Sequence, residues 1–272
     1  MFFAGIDVGS VSLNGVVINR GREIVYEAPY ERHLGKVNDR VLALIEGFYR
    51  RFGEAGIRSI SFTGNHGKKL SERLNTPYEF ETISQVLGTL FVKPDVKTII
   101  SMGGQETALF QINHPDQAGE TNPEQWELAY FNTNGPCASG TGSFIDQQAQ
   151  RLATSIYSRD VNTSQDQLDR ILKDFISLGK KSDKPANVAC RCTVFTKSDM
   201  IHLQNRGEKL EDIIYGLHVG NARNYMSTIV SNRSLETPVV FVGGLSLNEL
   251  QVKALKEYVP DLVVPPYNTS IG

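Results

Sequence analysis

The 272-residue chain is poor in cysteine and tryptophan, with three of the first and one of the second. Three cysteines, Cys137, Cys190 and Cys192, cannot form a complete disulfide framework, so ligand, redox or buried-thiol roles are favoured. Long hydrophobic runs are lacking too, because no apolar stretch approaches the roughly 20 residues that span a bilayer. The opening residues 1–7 become acidic too soon for a signal peptide. We therefore expect a cytoplasmic protein without a membrane partner.

An excess of charge of either sign is also lacking. Lysine and arginine number 28 against 30 aspartate and glutamate residues, a formal net charge of -2. A nearly neutral chain has no electrostatic reason to bind nucleic acid as its main partner. Neither Gly-x-x-x-x-Gly-Lys-Ser/Thr nor Gly-x-Gly-x-x-Gly occurs, so the P-loop and Rossmann classes are unsupported.

What the chain does contain is an arrangement of strands, glycine turns and helices that occurs twice. In the first copy we predict the strands 2–6, 11–18, 23–27 and 58–63 and the helix 38–52. In the second copy we predict the strands 97–102, 107–112, 127–131, 239–242 and 262–264 and the helices 143–157, 165–177, 197–206, 209–231 and 247–258. A duplicated α/β pattern predicts two lobes, residues 1–95 and 96–272, with a ligand cleft between them.

Glycine turns end three of the predicted strands, and a fourth glycine turn opens a helix. They are Asp7-Val8-Gly9-Ser10, Gly103-Gly104-Gln105, Gly243-Gly244 and Gly140-Thr141-Gly142. Glycine lets backbone N–H groups approach an anion closely, and a helix N-terminus adds partial positive charge. Each turn alone is weak evidence, but together they favour a bound nucleotide, with Asp7 and Ser10 near a phosphate-bound Mg²⁺.

One cysteine stands directly before the last of these turns. A thiolate at the position of Cys137, ahead of a helix N-terminus, would have a lowered pKa and be a ready metal ligand. The stretch therefore favours both phosphate binding and metal–sulfur chemistry.

In their order along the chain, these motifs resemble those of the BadF/BadG/BcrA/BcrD-type ATPases. That family contains the ATP-dependent activators of 2-hydroxyacyl-CoA dehydratases and the ATPase subunits of benzoyl-CoA reductase. The matching segments cover essentially the whole chain and are Gly5–Ser10, Thr63–Gly67, Ile100–Glu106, Cys137–Gly142, Arg191–Asp199 and Val242–Asn248. The resemblance implies the ribonuclease H-like α/β fold of actin, heat-shock chaperones and sugar kinases, with two duplicated lobes around a nucleotide cleft.

The resemblance also implies the residues of the site. ATP or ADP, with Mg²⁺, would be bound by Gly9, Ser10, Ser12, Gly103, Gly104, Gly140, Thr141, Gly142, Gly243, Gly244 and Asn248. The residues with catalytic roles would be Asp7, Gln105 and Glu106.

A [4Fe-4S] cluster is a further implication of the resemblance. Cys137 and Cys192 from each of two chains, or from a fused second unit, would bind it, near helices that begin at about residues 143 and 196. Helix N-termini would stabilise the anionic cluster. Cys190 lies outside the motif and is interpreted as a spare thiol, although residues two apart in an extended segment face one side, so Cys190 could compete for iron. The implied activity is ATP-driven electron transfer from ferredoxin or flavodoxin to a dehydratase or reductase component.

Two positions depart from the family pattern, because Asn14 replaces a usual lysine and Ser101 a usual aspartate. They support a first alternative, a nucleotide-binding module of a larger fused protein that hydrolyses ATP poorly. Residues 265–272 match the family just before its closing helix, as expected for the first activator-like unit of a long member. A small-molecule kinase of the same fold is the second alternative, with Glu79, Glu81 or Asp146 as its base.

Overall fold

The computed structural model of the chain describes residues 1–115, 125–135, 141–157 and 165–272. These residues form two compact units, one made of Met1–Pro94 with Pro265–Gly272 and the other of Asp95–Val264. Residues 265–272 therefore group with the first unit, whereas the sequence pattern predicts them in the second lobe. A search of the described residues finds no helix with the length and apolar character that crossing a membrane requires.

The first unit contains a mixed sheet of five strands and three helices. Its strands are β1 (Phe2–Val8), β2 (Ser12–Asn19), β3 (Ile24–Glu27), β4 (Glu31–Arg32) and β5 (Ile57–Thr63). Its helices are α1 (Val37–Phe52), α2 (Gly67–Leu74) and α3 (Glu81–Val92), with a 3-10 turn at Glu54–Gly56. The order is β3-β2-β1-β5, and β4 also pairs with β2. The central strand β1 is antiparallel to β2 and parallel to β5.

The core of the first unit lies between this sheet and helix α1. Val41 and Phe48 are the buried residues of the helix, and Phe48 packs with Ile6 and Val8 of β1. A glycine in β2 makes room for the helix, since a Cβ at Gly15 would lie 2.9 Å from the Phe48 ring. The 3.6-residue spacing of apolar residues in α1 thus produces the packing that holds β1 in place.

The second unit repeats the sheet arrangement. Its strands are β6 (Thr98–Met102), β7 (Thr107–Asn113), β8 (Glu127–Thr133) and β9 (Val239–Val242), in the order β8-β7-β6-β9. Its helices are α4 (Gly142–Tyr157), α5 (Gln165–Gly179), α6 (Thr193–Asn205), α7 (Leu210–Tyr225) and α8 (Glu249–Lys256), with a π-helix at Met226–Val230 and a 3-10 turn at Gly244–Leu247. Strand β6 is fully buried and corresponds to β1, because it also has an antiparallel and a parallel neighbour.

Several elements differ from the prediction for identifiable reasons. Helices α2 and α3 were not predicted. In α2 the only large apolar side chain that is buried is that of Leu70, and α3 contains Gly88, which is a poor helix former. Gly88 is required there because a Cβ would collide with the backbone of Ile271. The predicted strand 262–264 is reduced to one bridge between Val240 and Val263.

Candidate functional site

The first glycine turn connects β1 to β2 in the first unit. The Gly9 N–H donates to the Ser12 carbonyl at 3.0 Å and closes the turn around Ser10. Asp7, half-buried two residues earlier, is the register partner of Asn14, whose amide donates to the Asp7 carboxylate at 3.5 Å. Four predicted residues, Asp7, Gly9, Ser10 and Ser12, are thus brought together at the end of β1, with Asn14 as a polar neighbour.

A second loop of this unit covers the end of β1. Gly64 follows β5 with a φ of +83°, and a Cβ there would collide with the Asp7 carboxylate and lie 2.7 Å from the Val8 carbonyl. The His66 N–H then donates to that same carbonyl at 3.0 Å. Only glycine combines this backbone angle with this close approach. The loop after β5 therefore helps to fix the position of Asp7.

In the second unit, the start of helix α4 rests on the turn after β6. The Gly103 N–H donates to the Glu106 carbonyl at 2.8 Å, and Gly142 and Ser143 donate to the Gly103 and Gly104 carbonyls at 2.9 and 2.8 Å. Thr141 is buried and its hydroxyl accepts a bond from the Phe144 N–H. The structure therefore brings Gly103, Gly104, Thr141 and Gly142 together, while Gly140 lies outside the described residues.

The third glycine turn of the second unit ends β9 beside the end of β6. Gly243 has a φ of +91°, and a Cβ there would lie 2.6 Å from the Met102 carbonyl. Gly243 and Gly244 consequently lie next to the Gly103 turn in the same unit. Gln105 and Glu106, predicted as catalytic residues, are exposed on that turn.

Asn248, predicted to contact the nucleotide, has structural hydrogen bonds at both the oxygen and the nitrogen of its side-chain amide. Its Oδ1 accepts from the Leu250 and Gln251 N–H groups and caps helix α8. Its Nδ2 lies 2.9 Å from Nε2 of His218, whose Nδ1 donates to the Ile214 carbonyl. Burial lowers the pKa of His218 to about 4, so the imidazole is neutral and its Nε2 accepts from the amide.

Two described residues hold these turns and were not predicted from the sequence. Asn134, directly after β8, accepts from the Thr107 N–H at 2.8 Å and donates to the Gln105 carbonyl at 3.2 Å. His33, directly after β4, has its Nε2 3.2 Å from the Gly9 carbonyl. The only sequence signal was that each is a polar residue at the end of an outer strand.

Cys192 is the N-cap residue of helix α6 and is partly exposed. The backbone N–H groups of Phe195 and then Val194 lower the pKa of its thiol. The loop before it is held by Thr196, whose hydroxyl donates to the Ala189 carbonyl at 2.6 Å. A thiol of lowered pKa at a fixed helix N-terminus suits a metal ligand. The helix begins at Thr193, four residues before the start of the predicted helix 197–206.

Cys190 has the opposite environment. It is buried, its thiol lies 3.5 Å from the Leu217 carbonyl, and burial raises its pKa to about 12. A Cβ at Gly220 would collide with its sulfur, so the helix α7 packs closely over it. The expectation that Cys190 and Cys192 face one side and compete for iron is therefore wrong, because the chain turns between them.

Only one of the two predicted cluster ligands, Cys192, belongs to the described residues. Cys137 lies outside the described residues, and among the residues that are described no group of three or more His, Cys, Asp or Glu side chains could hold a metal ion. Cys192 alone therefore tests the fit to an iron–sulfur cluster, and its exposure and lowered pKa agree with that use.

The chain is similar to two activator proteins of known name. It is 26% identical to the 2-hydroxyisocaproyl-CoA dehydratase activator of Clostridioides difficile over 97% of this chain and 89% of that protein. It is also 26% identical to the (R)-2-hydroxyglutaryl-CoA dehydratase activating ATPase of Acidaminococcus fermentans, covering 94% of this chain and 88% of the other.

Solved structures agree with this similarity. The 2-hydroxyisocaproyl-CoA dehydratase activator from Clostridium difficile with bound ADPNP superposes with a TM-score of 0.76 and 26% identity, over 100% of this chain and 91% of that one. A ROK family glucokinase from Streptomyces griseus superposes with a TM-score of 0.53 and 10% identity, over 100% of this chain and 96% of that one. This likeness shows the fold alone. The predicted fold of the actin, chaperone and sugar-kinase superfamily is confirmed. The model of the BadF/BadG/BcrA/BcrD ATPase family matches residues 4–266, so the chain belongs to that family.

Proposed function

We propose that the protein is an ATP-dependent activator of a 2-hydroxyacyl-CoA dehydratase or a related reductase. The observation that carries this proposal is the combination, in a member of this ATPase family, of duplicated glycine turns with a cysteine of lowered pKa at a helix N-terminus. The relatives named as dehydratase activators support the choice of partner. A cytoplasmic location belongs to the proposal.

Nucleotide binding is the better supported half of the proposal. Ser10 and Ser12 of the first unit and Gly104 of the second would present backbone or hydroxyl donors to phosphate. Gly9, Gly103 and Gly142, whose own N–H groups close the turns, would let phosphate approach the backbone closely. Asp7 would help to position Mg²⁺, and Gln105 and Glu106 the attacking water. The similar activator with bound ADPNP supports ATP and ADP as the ligands.

Electron transfer is the second half. Cys137 and Cys192 of two chains, or of one chain and a fused second unit, would bind one [4Fe-4S] cluster. The cluster would supply one-electron chemistry between a donor such as ferredoxin or flavodoxin and the dehydratase component. This chain would contribute the thiolates, of which that of Cys192 is stabilised by the backbone N–H groups at the start of α6.

Anaerobic reconstitution with iron and sulfide tests the cluster. We expect about four iron and four sulfide per two chains and the absorption of a [4Fe-4S] centre. Cys192→Ala should lose the absorption, whereas the matched control Cys190→Ala should retain it, because Cys190 is buried against α7. Equal iron content in wild type and Cys192→Ala would refute this half of the proposal without touching nucleotide binding.

A binding module that hydrolyses ATP poorly is the second candidate. Asn14 is buried and bonded to Asp7, where the family usually has a lysine, so a phosphate-neutralising charge is lacking at that position. Ser101 is buried between the register partners Ala108 and Val242. Single-turnover assays with radiolabelled ATP decide between the candidates. Hydrolysis that Asp7→Asn abolishes supports the activator, and tight ADPNP binding without hydrolysis supports the module.

A further inference from the structure

His33 is attached to the first glycine turn by its backbone and its side chain. Its N–H donates to the Val11 carbonyl at 3.1 Å, and its Nε2 lies 3.2 Å from the Gly9 carbonyl. The Gly35 N–H donates to Nδ1 at 3.2 Å, so Nε2 carries the proton and donates. The side chain is only 5% exposed. His33 therefore fixes two carbonyl groups of one turn, that of Val11 through its backbone N–H and that of Gly9 through its buried neutral imidazole.

The tight turn after His33 shows that this placement is imposed by the fold. The Lys36 N–H donates to the His33 carbonyl at 2.8 Å across Leu34 and Gly35, which have φ values of 47° and 80°. A left-handed backbone is unfavourable for leucine, because its Cβ then lies too close to the following carbonyl oxygen. The chain tolerates this cost in the one turn that orients the imidazole toward Gly9.

Asn134 has the same place in the second unit. Counting from Gly9 and from Gly103, the third residue of each turn is Val11 or Gln105, and its carbonyl accepts from His33 or Asn134. Both holding residues directly follow a strand that pairs with the second strand of the hairpin, β4 with β2 and β8 with β7. The bonded carbonyls are thus equivalent in position, but His33 donates to Val11 through its backbone N–H and Asn134 donates to Gln105 through its side-chain amide, while the His33 imidazole bonds Gly9.

These bonds determine where the donors of each turn point. A trans peptide places its N–H and its C=O on opposite sides. Holding the Gly9 carbonyl against His33 therefore directs the Ser10 N–H away from His33. In the same way, the bond from Asn134 to the Gln105 carbonyl directs the Glu106 N–H away from Asn134. The Ser10 and Glu106 N–H groups therefore lie on the sides of their turns that face away from His33 and Asn134.

We propose that His33 and Asn134 are positioning residues that hold the two glycine turns in the conformation that receives the nucleotide phosphates. This inference rests on the proposed nucleotide binding, and it concerns residues that contact the turns rather than the nucleotide. One property distinguishes His33 and Asn134 from ordinary core residues. Substitution of either side chain should weaken the binding of phosphates and leave the binding of the nucleoside unchanged.

Calorimetric titrations with Mg²⁺-ADPNP and with adenosine test this property. Losing one hydrogen bond to a neutral partner corresponds to about a tenfold effect. We expect His33→Phe and Asn134→Ala to raise the Kd for ADPNP about tenfold and that for adenosine less than about twofold. His33→Gln should recover most of the loss, because its amide can donate to the Gly9 carbonyl.

His114→Phe is the matched control. Its Nε2 also bonds a backbone carbonyl, that of Val96, but at the opposite end of β6 from Gly103. It should bind both ligands as the wild type does. If His33→Phe does not fold, the ADPNP and adenosine affinities of His33→Gln and His33→Asn can be compared. The shorter asparagine amide does not reach Gly9, so His33→Asn should show the loss of ADPNP affinity.

Three outcomes overturn the inference. One is wild-type ADPNP affinity in His33→Phe and Asn134→Ala, and another is an equal loss of adenosine and ADPNP affinity, which indicates general disruption. The third is the absence of ADPNP binding in the wild type, which removes the proposed function together with this inference. Normal wild-type binding with unaffected variants removes the inference alone.

Discussion

In each unit one strand, β1 or β6, is followed by a glycine whose N–H closes a short turn. The strand parallel to it, β5 or β9, is followed by a glycine with a left-handed backbone. The first unit has Gly9 and Gly64, and the second has Gly103 and Gly243. We call each pair of strand ends with its two glycines a frame. The side chains near the two frames differ. Asp7 has Asn14 and Thr63 as register partners, whereas Ser101, also two residues before the glycine, has Ala108 and Val242.

This difference shows that the backbone of the turn does not depend on the carboxylate. Both turns close with N–H to carbonyl distances of 2.8–3.0 Å, although only one is preceded by an acidic residue. The frame is set by strand pairing and by glycine, while the chemistry is set by the few side chains that face inward from the neighbouring strands. The same turn can therefore form with or without an acidic residue two positions before its glycine.

Gly64→Ala and Gly243→Ala provide the most severe test of the shared frame. Each alanine would adopt a left-handed φ and place its Cβ against backbone, 2.7 Å from the Val8 carbonyl or 2.6 Å from the Met102 carbonyl. We expect each to lower the free energy of unfolding by about 3 kcal/mol or more, measured by urea denaturation.

Gly35→Ala separates the two causes of that loss. Gly35 has a φ of +80°, but a Cβ added there would have no neighbour within 4 Å, so only backbone strain of about 1 kcal/mol is expected. An equal loss in the free energy of unfolding at all three positions would show that the Cβ contact with the neighbouring strand end contributes nothing. The close approach that Gly64 and Gly243 share would then not matter for stability.

Ser101→Asp tests whether the second frame accepts the acidic residue of the first. Ser101 is buried and its register partners are apolar, so the new carboxylate would lack a donor such as the Asn14 amide. We expect a loss of about 2 kcal/mol in the free energy of unfolding. The double variant Ser101→Asp/Ala108→Asn should recover about half of it, since paired residues on adjacent antiparallel strands face one side.

Absence of coupling between positions 101 and 108 in this double-mutant cycle would contradict the prediction. The corresponding cycle on Asp7 and Asn14, with alanine at each position, serves as the reference for a native pair.

Low pH should affect the second unit through His218. Burial lowers its pKa to about 4 in the folded state, against about 6.5 in the unfolded chain, with the Ile214 carbonyl opposing the shift. A lowered histidine pKa stabilises the fold above pH 6.5, and that contribution is lost as the pH falls toward 4. At pH 5 the loss is of order 2 kcal/mol.

Urea denaturation at pH 7 and pH 5 measures this loss. His218→Gln should reduce the difference between the two pH values, and the control His202→Gln, at an exposed position in α6, should leave it as in the wild type. If the stability of His218→Gln depends on pH as that of the wild type does, groups other than His218 cause the acid sensitivity.

The parts predicted from sequence are those governed by local pattern. The apolar alternation of β1 and the helical spacing of α1 determine both elements, and the strand-ending glycines marked the turns. Helix α2 was missed because its buried face is little more than Leu70. The bonds of His33 and Asn134 were missed because they join positions 24 and 29 residues apart, which only strand pairing brings together.

The family resemblance predicted roles for particular residues, which the sequence pattern alone could not do. The structure shows different local settings for these residues. Gly9, Gly103 and Gly243 lie in turns at strand ends, and their phosphate-binding role stays a prediction. The predicted role of Asn248 at the nucleotide is likewise untested, and its side chain also caps α8 and bonds His218. A motif residue can therefore have a structural use beside the one that the resemblance implies, and a single sequence does not separate the two uses.

Leu34→Asn is the mildest test, directed at a feature that the first frame has and the second lacks. Leu34 has a φ of 47° in the turn that orients His33, and its side chain is 45% exposed, so little burial is lost on substitution. Asparagine adopts this backbone more readily than leucine, and we expect a gain of about 0.5 kcal/mol in the free energy of unfolding. Leu42→Asn, at an exposed position in α1 with ordinary helical geometry, should instead lose a few tenths of a kcal/mol, as helix propensity dictates. A loss at both positions would mean that the Leu34 side chain contributes packing that outweighs its backbone strain, and the turn around His33 would then be held by contacts rather than against its preference.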